Sequence, residues 1–159
     1  MDGNHDLPMT IDPAFLVSRL LGRQPLVPPL LAAQVLHSFF GVMLVYYHGI
    51  HKLMDGLEWR GGRRAEWPFV AEIKAAGFPF PVINAWFATA AQLVGGSLLV
   101  LGLGTRPAAL LIIGTLLGAV YTNVVLKKSN QMALLYLLLA VCVLAFGPGV
   151  WSMDLAFFG

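Results

Sequence analysis

Residues 107–126 read PAALLIIGTLLGAVYTNVVL, a run without a single Asp, Glu, Lys or Arg. A hydrocarbon core of about 30 Å is crossed by roughly 20 apolar residues in helical form, so the run is long enough to span a membrane. Pro107 stands where a helix tolerates it, in the first turn. Working outward, residues 24–51, 75–105 and 129–153 also lack those four residue types. Four such stretches predict an all-α membrane protein, an antiparallel four-transmembrane-helix bundle with an interfacial segment between helices 1 and 2. Short connections between the last three spans make them antiparallel neighbours.

Composition agrees with that class. Only 11% of the 159 residues are charged and 58% are hydrophobic, against about 25% charged in a soluble domain. A soluble chain of this length could not hide so much apolar surface. A net charge of +2 is too small to indicate nucleic acid. The single cysteine, Cys142, excludes an intramolecular disulfide or dithiol relay; it reads as a small hydrophobe. The first residues carry Asp2, Asp6 and Asp12 with no basic, then apolar, leader, so no secretory signal is expected and the first apolar segment is a retained span.

The expected organisation follows. Residues 1–29 form an N-terminal tail, partly interfacial, in which Arg19 and Arg23 reach head groups. Residues 30–154 form the transmembrane domain, with spans at about 30–53, 82–103, 108–126 and 132–146, and 155–159 form a C-terminal tail. Between the first two spans lie Trp59, Trp67, the Arg60–Arg64 cluster and a short helix from Glu66 to Ala76. Seven Lys and Arg residues fall in the first loop and third turn, against Arg19, Arg23 and Arg106 on the other side. The positive-inside rule then places both termini outside the cytoplasm, provided none of these charges is functional.

Polar groups interrupt the apolar runs at few places. On an α-helix His48 lies about 20° from His37, and His51 about 40° away on the other side. The three histidines therefore make a stripe ending beside Lys52. Ionisable residues within a span are functional candidates, although a histidine near a helix end also serves simply by bonding a carbonyl. His48 and His51 at i, i+3 could flank a metal or redox cofactor, but later spans offer no further ligands, so no metal or haem site is expected. Tyr46 and Tyr47 fit an interfacial belt or an aromatic pocket such as a quinone site. Gln92 is a deep amide suited to helix contacts or to a ligand, and Asn123, near the end of its span, could line a pocket. Gly114-xxx-Gly118, with Thr122 on the same face, reads first as a helix-packing surface. Antiparallel order puts Lys52, Asn123 and Gln131 at the loop-one side, where a pocket would be most polar.

Taken in order, these pieces resemble the DoxX family of small four-span bacterial membrane proteins. The resemblance rests on Gly49-Ile50-His51-Lys52, Gly77-Phe78-Pro79-Phe80-Pro81, Gly95-Gly96 with Gly102 to Ala109, and Leu134-Leu135-Tyr136 followed by Gly147-Pro148-Gly149 and Ser152-x-Asp154. One departure matters: relatives often carry Glu where this chain has Gln92, an amide that bonds but has no proton to lose near pH 7.

The resemblance implies a bacterial inner-membrane subunit of a quinone-linked oxidoreductase complex, similar to that of thiosulfate:quinone oxidoreductase. The alternative is a non-catalytic membrane anchor or assembly partner for a redox complex. In the first case His48, His51 and Lys52 act on a quinone or donor, while Tyr47, His37, Gln92 and Asn123 bind the quinone. Arg63 and Arg64 attract an anion such as thiosulfate. The expected partners are the lipid bilayer and another protein of the complex or further copies of the chain.

Overall fold

A computed structural model describes residues 29–147 and 152–154. Of the expected tails, 1–29 and 155–159, residues 1–28 and 155–159 lie outside the described residues, and Pro29 already begins the first helix. Every regular element among the described residues is helical: α1 (Pro29–Met43), a π-helical segment (Leu44–Ile50), α2 (His51–Arg60), α3 (Pro68–Ala75), α4 (Pro81–Leu101), α5 (Thr105–Val125) and α6 (Gln131–Phe146). Both α4 and α5 are long and apolar enough to cross a membrane, and α6 is a shorter apolar helix. With the composition this makes the chain an all-helical membrane protein.

The first charge-free stretch folds as one rod, α1–π–α2, because the residues flanking the π segment keep right-handed helical dihedrals. The helix continues past Asp55 to Arg60 instead of stopping near residue 53. A π turn holds one more residue than an α turn, so everything after it is rotated by about one residue, roughly 100°. That breaks the expected histidine stripe. His37 is buried against α4, His48 is half-buried, and His51 faces outward.

The rod packs antiparallel to α4. His37 Nδ1 donates to the Leu99 carbonyl at 2.7 Å, Gly41 opposes Gly96, Gly49 opposes Leu93, and Lys52 meets Gln92. Gly41 and Gly96 make this contact possible. A Cβ on Gly41 would stand 2.5 Å from the Gly96 carbonyl oxygen, and one on Gly96 would stand 2.8 Å from Val45. Small residues that let backbones approach are the usual means of joining helices in lipid, where burial alone gives little driving force. Helices α5 and α6 complete the bundle around Phe40, Leu44, Leu99, Ile112, Leu116 and Val143.

Helix α3 is fixed by aromatic packing. Proline at its start suits the first turn, and Trp67 just before it is almost wholly buried. The Trp67 ring lies 4.8 Å from Trp86 on α4 and 6.1 Å from Trp59 on α2. Trp67 therefore acts as the core of the loop-one segment, not as an exposed interfacial anchor. The short helix expected from Glu66 to Ala76 is this element, slightly trimmed.

Candidate functional site

A cavity of about 400 Å³ opens between the rod, α3, α4 and α5. Its polar residues lie at two levels: Lys52, Gln92 and His48 beside the middle of α4, and Asn84 and Asn123 nearer loop one. Lys52 leaves α2 two residues after the π segment ends, and its Nζ donates to Gln92 Oε1 at 3.1 Å while resting 3.9 Å from the centre of the Phe69 ring. An ammonium group has three donors and no acceptor, so these contacts leave donors for another molecule. The ion pairs among the described residues are Arg64 with Asp55 and Glu58, and Lys128 with Glu72. None neutralises Lys52. Glu72 also lines the cavity, but its carboxylate accepts from Lys128 at 2.6 Å.

His48 sits within the π segment and lines the same cavity, its ring edge-on to Tyr136 of α6 at 5.0 Å. The local sequence explains the placement. A Cβ on Gly49 would stand 2.6 Å from Leu93, so only glycine lets the wide turn sit this close to α4. π turns recur at functional sites because they re-aim a side chain without breaking the helix.

Asn84 also lines the cavity and its amide donates to the Pro79 carbonyl; the remaining lining is apolar in effect. Thr115 and Thr122 face the cavity, yet their hydroxyls donate to Ile112 and Gly118 carbonyls of their own helix. Asn123 remains as a polar group of α5 on the wall. Gly114 and Gly118 differ from the sequence expectation. Among the described residues they do not form a helix-packing face, because no heavy atom lies within 4 Å of a Cβ on either. They form part of the cavity wall.

Of the residues picked from the sequence, His48, Lys52, Gln92 and Asn123 meet at this cavity. His37 does not; it is held at the other end of the rod by Leu99. Tyr47 and His51 lie outside the lining, on the exposed side of the rod. Arg63 is exposed, and Arg64 is occupied by Asp55 at 3.1 Å and Glu58 at 3.3 Å. Sequence reasoning missed Phe69, Glu72, Phe78 and Phe87, all on the cavity wall. It also missed Tyr136, which touches His48. The aromatic spacing of loop one was the available signal, but it does not by itself tell a wall from an anchor. Among the described residues no group of His, Cys, Asp and Glu is arranged to hold a metal.

The opposite end of the bundle is closed. Asp154 reaches over the α4–α5 turn, and its carboxylate accepts from the backbone N–H groups of Gly104 at 2.6 Å and Thr105 at 2.8 Å. This caps the N-terminus of α5, which would otherwise leave donors unsatisfied. The Asp154 N–H donates to the Gly102 carbonyl at 2.9 Å. Burial works to raise the Asp154 pKa, but the two backbone bonds, with His37 nearby, hold it below the ordinary carboxylate value.

A family model described as DoxX matches residues 31–124. That range includes the rod, α3, α4 and most of α5, and with them the whole cavity lining; α6 and Asp154 lie beyond it. Neither the curated proteins nor the solved structures give a match.

Proposed function

The chain belongs to the DoxX family, and on that premise we propose that it is the membrane subunit of a quinone-linked oxidoreductase complex, thiosulfate:quinone-oxidoreductase-like. In this reading the rod, α4, α5 and α6 each cross the bacterial inner membrane, giving four spans, with both termini outside the cytoplasm. The cavity receives the quinone ring. Lys52 donates a hydrogen bond to a ring carbonyl, Gln92 holds the Lys52 amine in place, and Asn123 offers an amide on the α5 wall.

One observation carries this proposal: a lysine amine with no carboxylate within ion-pair distance among the described residues, held by an amide and an aromatic face on the wall of a largely apolar cavity. Such a site favours an electron-rich, largely apolar ligand, and the volume falls within the roughly 300–1,000 Å³ of small-molecule pockets. Reduction of a quinone to a quinol takes two electrons and two protons. The electrons come from the donor as it is oxidised and the two protons from water, with His48 on the cavity wall as the group that relays them. Arg63 remains available to attract an anionic donor, whereas the charge of Arg64 is balanced by its two carboxylates.

The test is turnover in the intact complex. Lys52→Ala and His48→Ala are expected to abolish quinone reduction while leaving the helical signal and assembly unchanged. Unaltered turnover in both variants removes the proposal. The exposed side of the rod, with Tyr46, Tyr47 and His51, favours a second reading, in which the chain anchors a redox partner and binds no quinone. Co-purification with a cofactor-bearing partner, together with no quinone bound to the chain, would support that reading instead.

A further inference from the structure

Resting on the quinone reading, we infer that the cavity prefers acidic quinones, those whose ring hydroxyl is ionised at neutral pH, and seats the ionised oxygen against Lys52. The donor set points that way. Lys52 Nζ meets Gln92 Oε1 at 3.1 Å and lies 3.9 Å from the centre of the Phe69 ring. An ammonium group only donates, so the amide oxygen must be the atom that faces it, and Gln92 Nε2, with its N–H donors, is turned away from the lysine. His48 stands about one turn before Lys52 on the rod and lines the same cavity; its imidazole carries at least one N–H in either protonation state. Three side chains at one level of the cavity therefore offer donors to whatever sits beside Lys52.

The charges on the lining do not cancel. Lys52 and Glu72 are its Lys, Arg, Asp and Glu members. The Glu72 carboxylate accepts from Lys128 at 2.6 Å, so its charge is matched by a residue outside the lining. The Lys52 ammonium is left in excess, with no carboxylate among the described residues within ion-pair distance. A charge in an apolar setting is costly unless it is paired. A neutral ring carbonyl supplies an ordinary acceptor. An ionised ring oxygen supplies a charge-assisted bond, roughly twice as strong, and neutralises the amine.

Depth and shape separate a ring anion from other apolar anions. Gln92 stands at the middle of α4 (Pro81–Leu101), so an oxygen that reaches Lys52 has left water well behind. Withdrawing a charge from water is expensive, and less so when the charge is spread over a conjugated ring than when a carboxylate holds it. Phe69, Phe78 and Phe87 line the cavity, and aromatic side chains suit a planar ring better than an alkyl chain. The threonine hydroxyls of the α5 wall are turned onto their own backbone, so Lys52, Gln92 and His48 are where the charge is read.

The experiment titrates the full chain in lipid nanodiscs with a hydroxynaphthoquinone that is ionised at neutral pH and with its neutral methyl ether, using empty nanodiscs as the blank. The hydroxyquinone is expected to bind about tenfold or more tighter than the ether. Lys52→Met should bring the two within about twofold of each other. Gln92→Glu neutralises the amine while keeping the side-chain shape, so it should narrow the ratio to about twofold as well, and it carries the test if the methionine variant does not fold. The ratio is the readout because a merely structural lysine would move both affinities together. A wild-type chain that binds the ether as tightly as the hydroxyquinone, or tighter, overturns the preference and leaves the quinone reading standing. A ratio retained in Gln92→Glu, or in folded Lys52→Met, overturns it too. A long-chain fatty acid that binds tighter than the hydroxyquinone would assign the site to lipid carboxylates and overturn the ring class. If wild type binds neither quinone, the quinone reading itself fails and the preference falls with it.

Discussion

The two ends of the bundle are built from similar residues with opposite results. At the closed end, His37 bonds the Leu99 carbonyl, and Asp154 bonds Gly102, Gly104 and Thr105. At the open end, Lys52, Gln92, His48 and Asn123 line a cavity, and no carboxylate among the described residues stands within ion-pair distance of the lysine. A polar group in an apolar setting is costly unless it is partnered. At the closed end Asp154 meets that demand for the start of α5, while His37 is bonded through Nδ1 alone; at the open end one amide and one aromatic face hold an amine that has three donors. On the proposed function, that contrast separates polar residues that hold the fold from those that bind a ligand, although the sequence presents both as isolated polar letters in apolar runs.

The comparison can be broken most severely through the glycines. Gly41→Leu pushes a side chain into the α4 backbone, where even a Cβ would be 2.5 Å from the Gly96 oxygen. Overpacking of this kind costs about 1–3 kcal/mol or more. A strongly lowered melting midpoint and poor recovery from detergent are expected, whereas Gly114→Leu should melt near wild type. Equal melting of the two variants would show that the two kinds of glycine are not distinct.

Gln92→Glu sharpens the open end. It sets a carboxylate 3.1 Å from Lys52, turning a hydrogen bond into a neutralised ion pair. Quinone affinity is expected to fall about tenfold, with melting unchanged or slightly raised. Unchanged affinity in a titration would show that the free positive charge does not hold the ligand.

Asp154→Ala tests the closed end. Loss of a helix cap costs about 1 kcal/mol, read as a lower melting midpoint with quinone affinity intact. The pH dependence has a definite sign. Because the folded-state pKa of Asp154 is lowered, its contribution is complete above the unfolded carboxylate pKa of about 4 and is lost as pH falls through the folded value. Asp154→Asn keeps a capping oxygen, so it should retain most of the stability and lose the acid-dependent part.

The smallest expected effect is at the rim. Glu72→Gln removes an exposed ion pair with Lys128, worth about 0–1 kcal/mol. A melting change of several kcal/mol would mean that α3 is held by this pair and not by Trp67.

Much of the architecture was readable because lipid imposes a single demand on every span. Charge-free runs located α4, α5 and α6, and the short helix expected from Glu66 to Ala76 is α3. The antiparallel order brought Lys52 and Asn123 to the same end. What stayed hidden depended on backbone departures or on neighbours. The 100° spacing of His37, His48 and His51 presumes an α-helix throughout, and the π turn at Leu44–Ile50 removes His51 from the line. Gly114 and Gly118 have the letters of a packing motif, and only the position of the other helices shows that nothing in the chain meets them. Arg64 looks like an anion site until the rod is seen to continue far enough to bring Asp55 and Glu58 against it.

The central claim is that the cavity beside Lys52 and His48 holds a quinone. A quinone carrying a photoreactive group on its ring, cross-linked in nanodiscs and mapped by peptide mass spectrometry, tests it most directly. The expected adducts fall on peptides containing His48 to Lys52, Phe87 to Gln92 and Gly114 to Asn123, and excess unlabelled quinone suppresses them. Labelling confined to the exposed face around Tyr46 and Tyr47, or labelling that excess quinone does not suppress, would contradict the account.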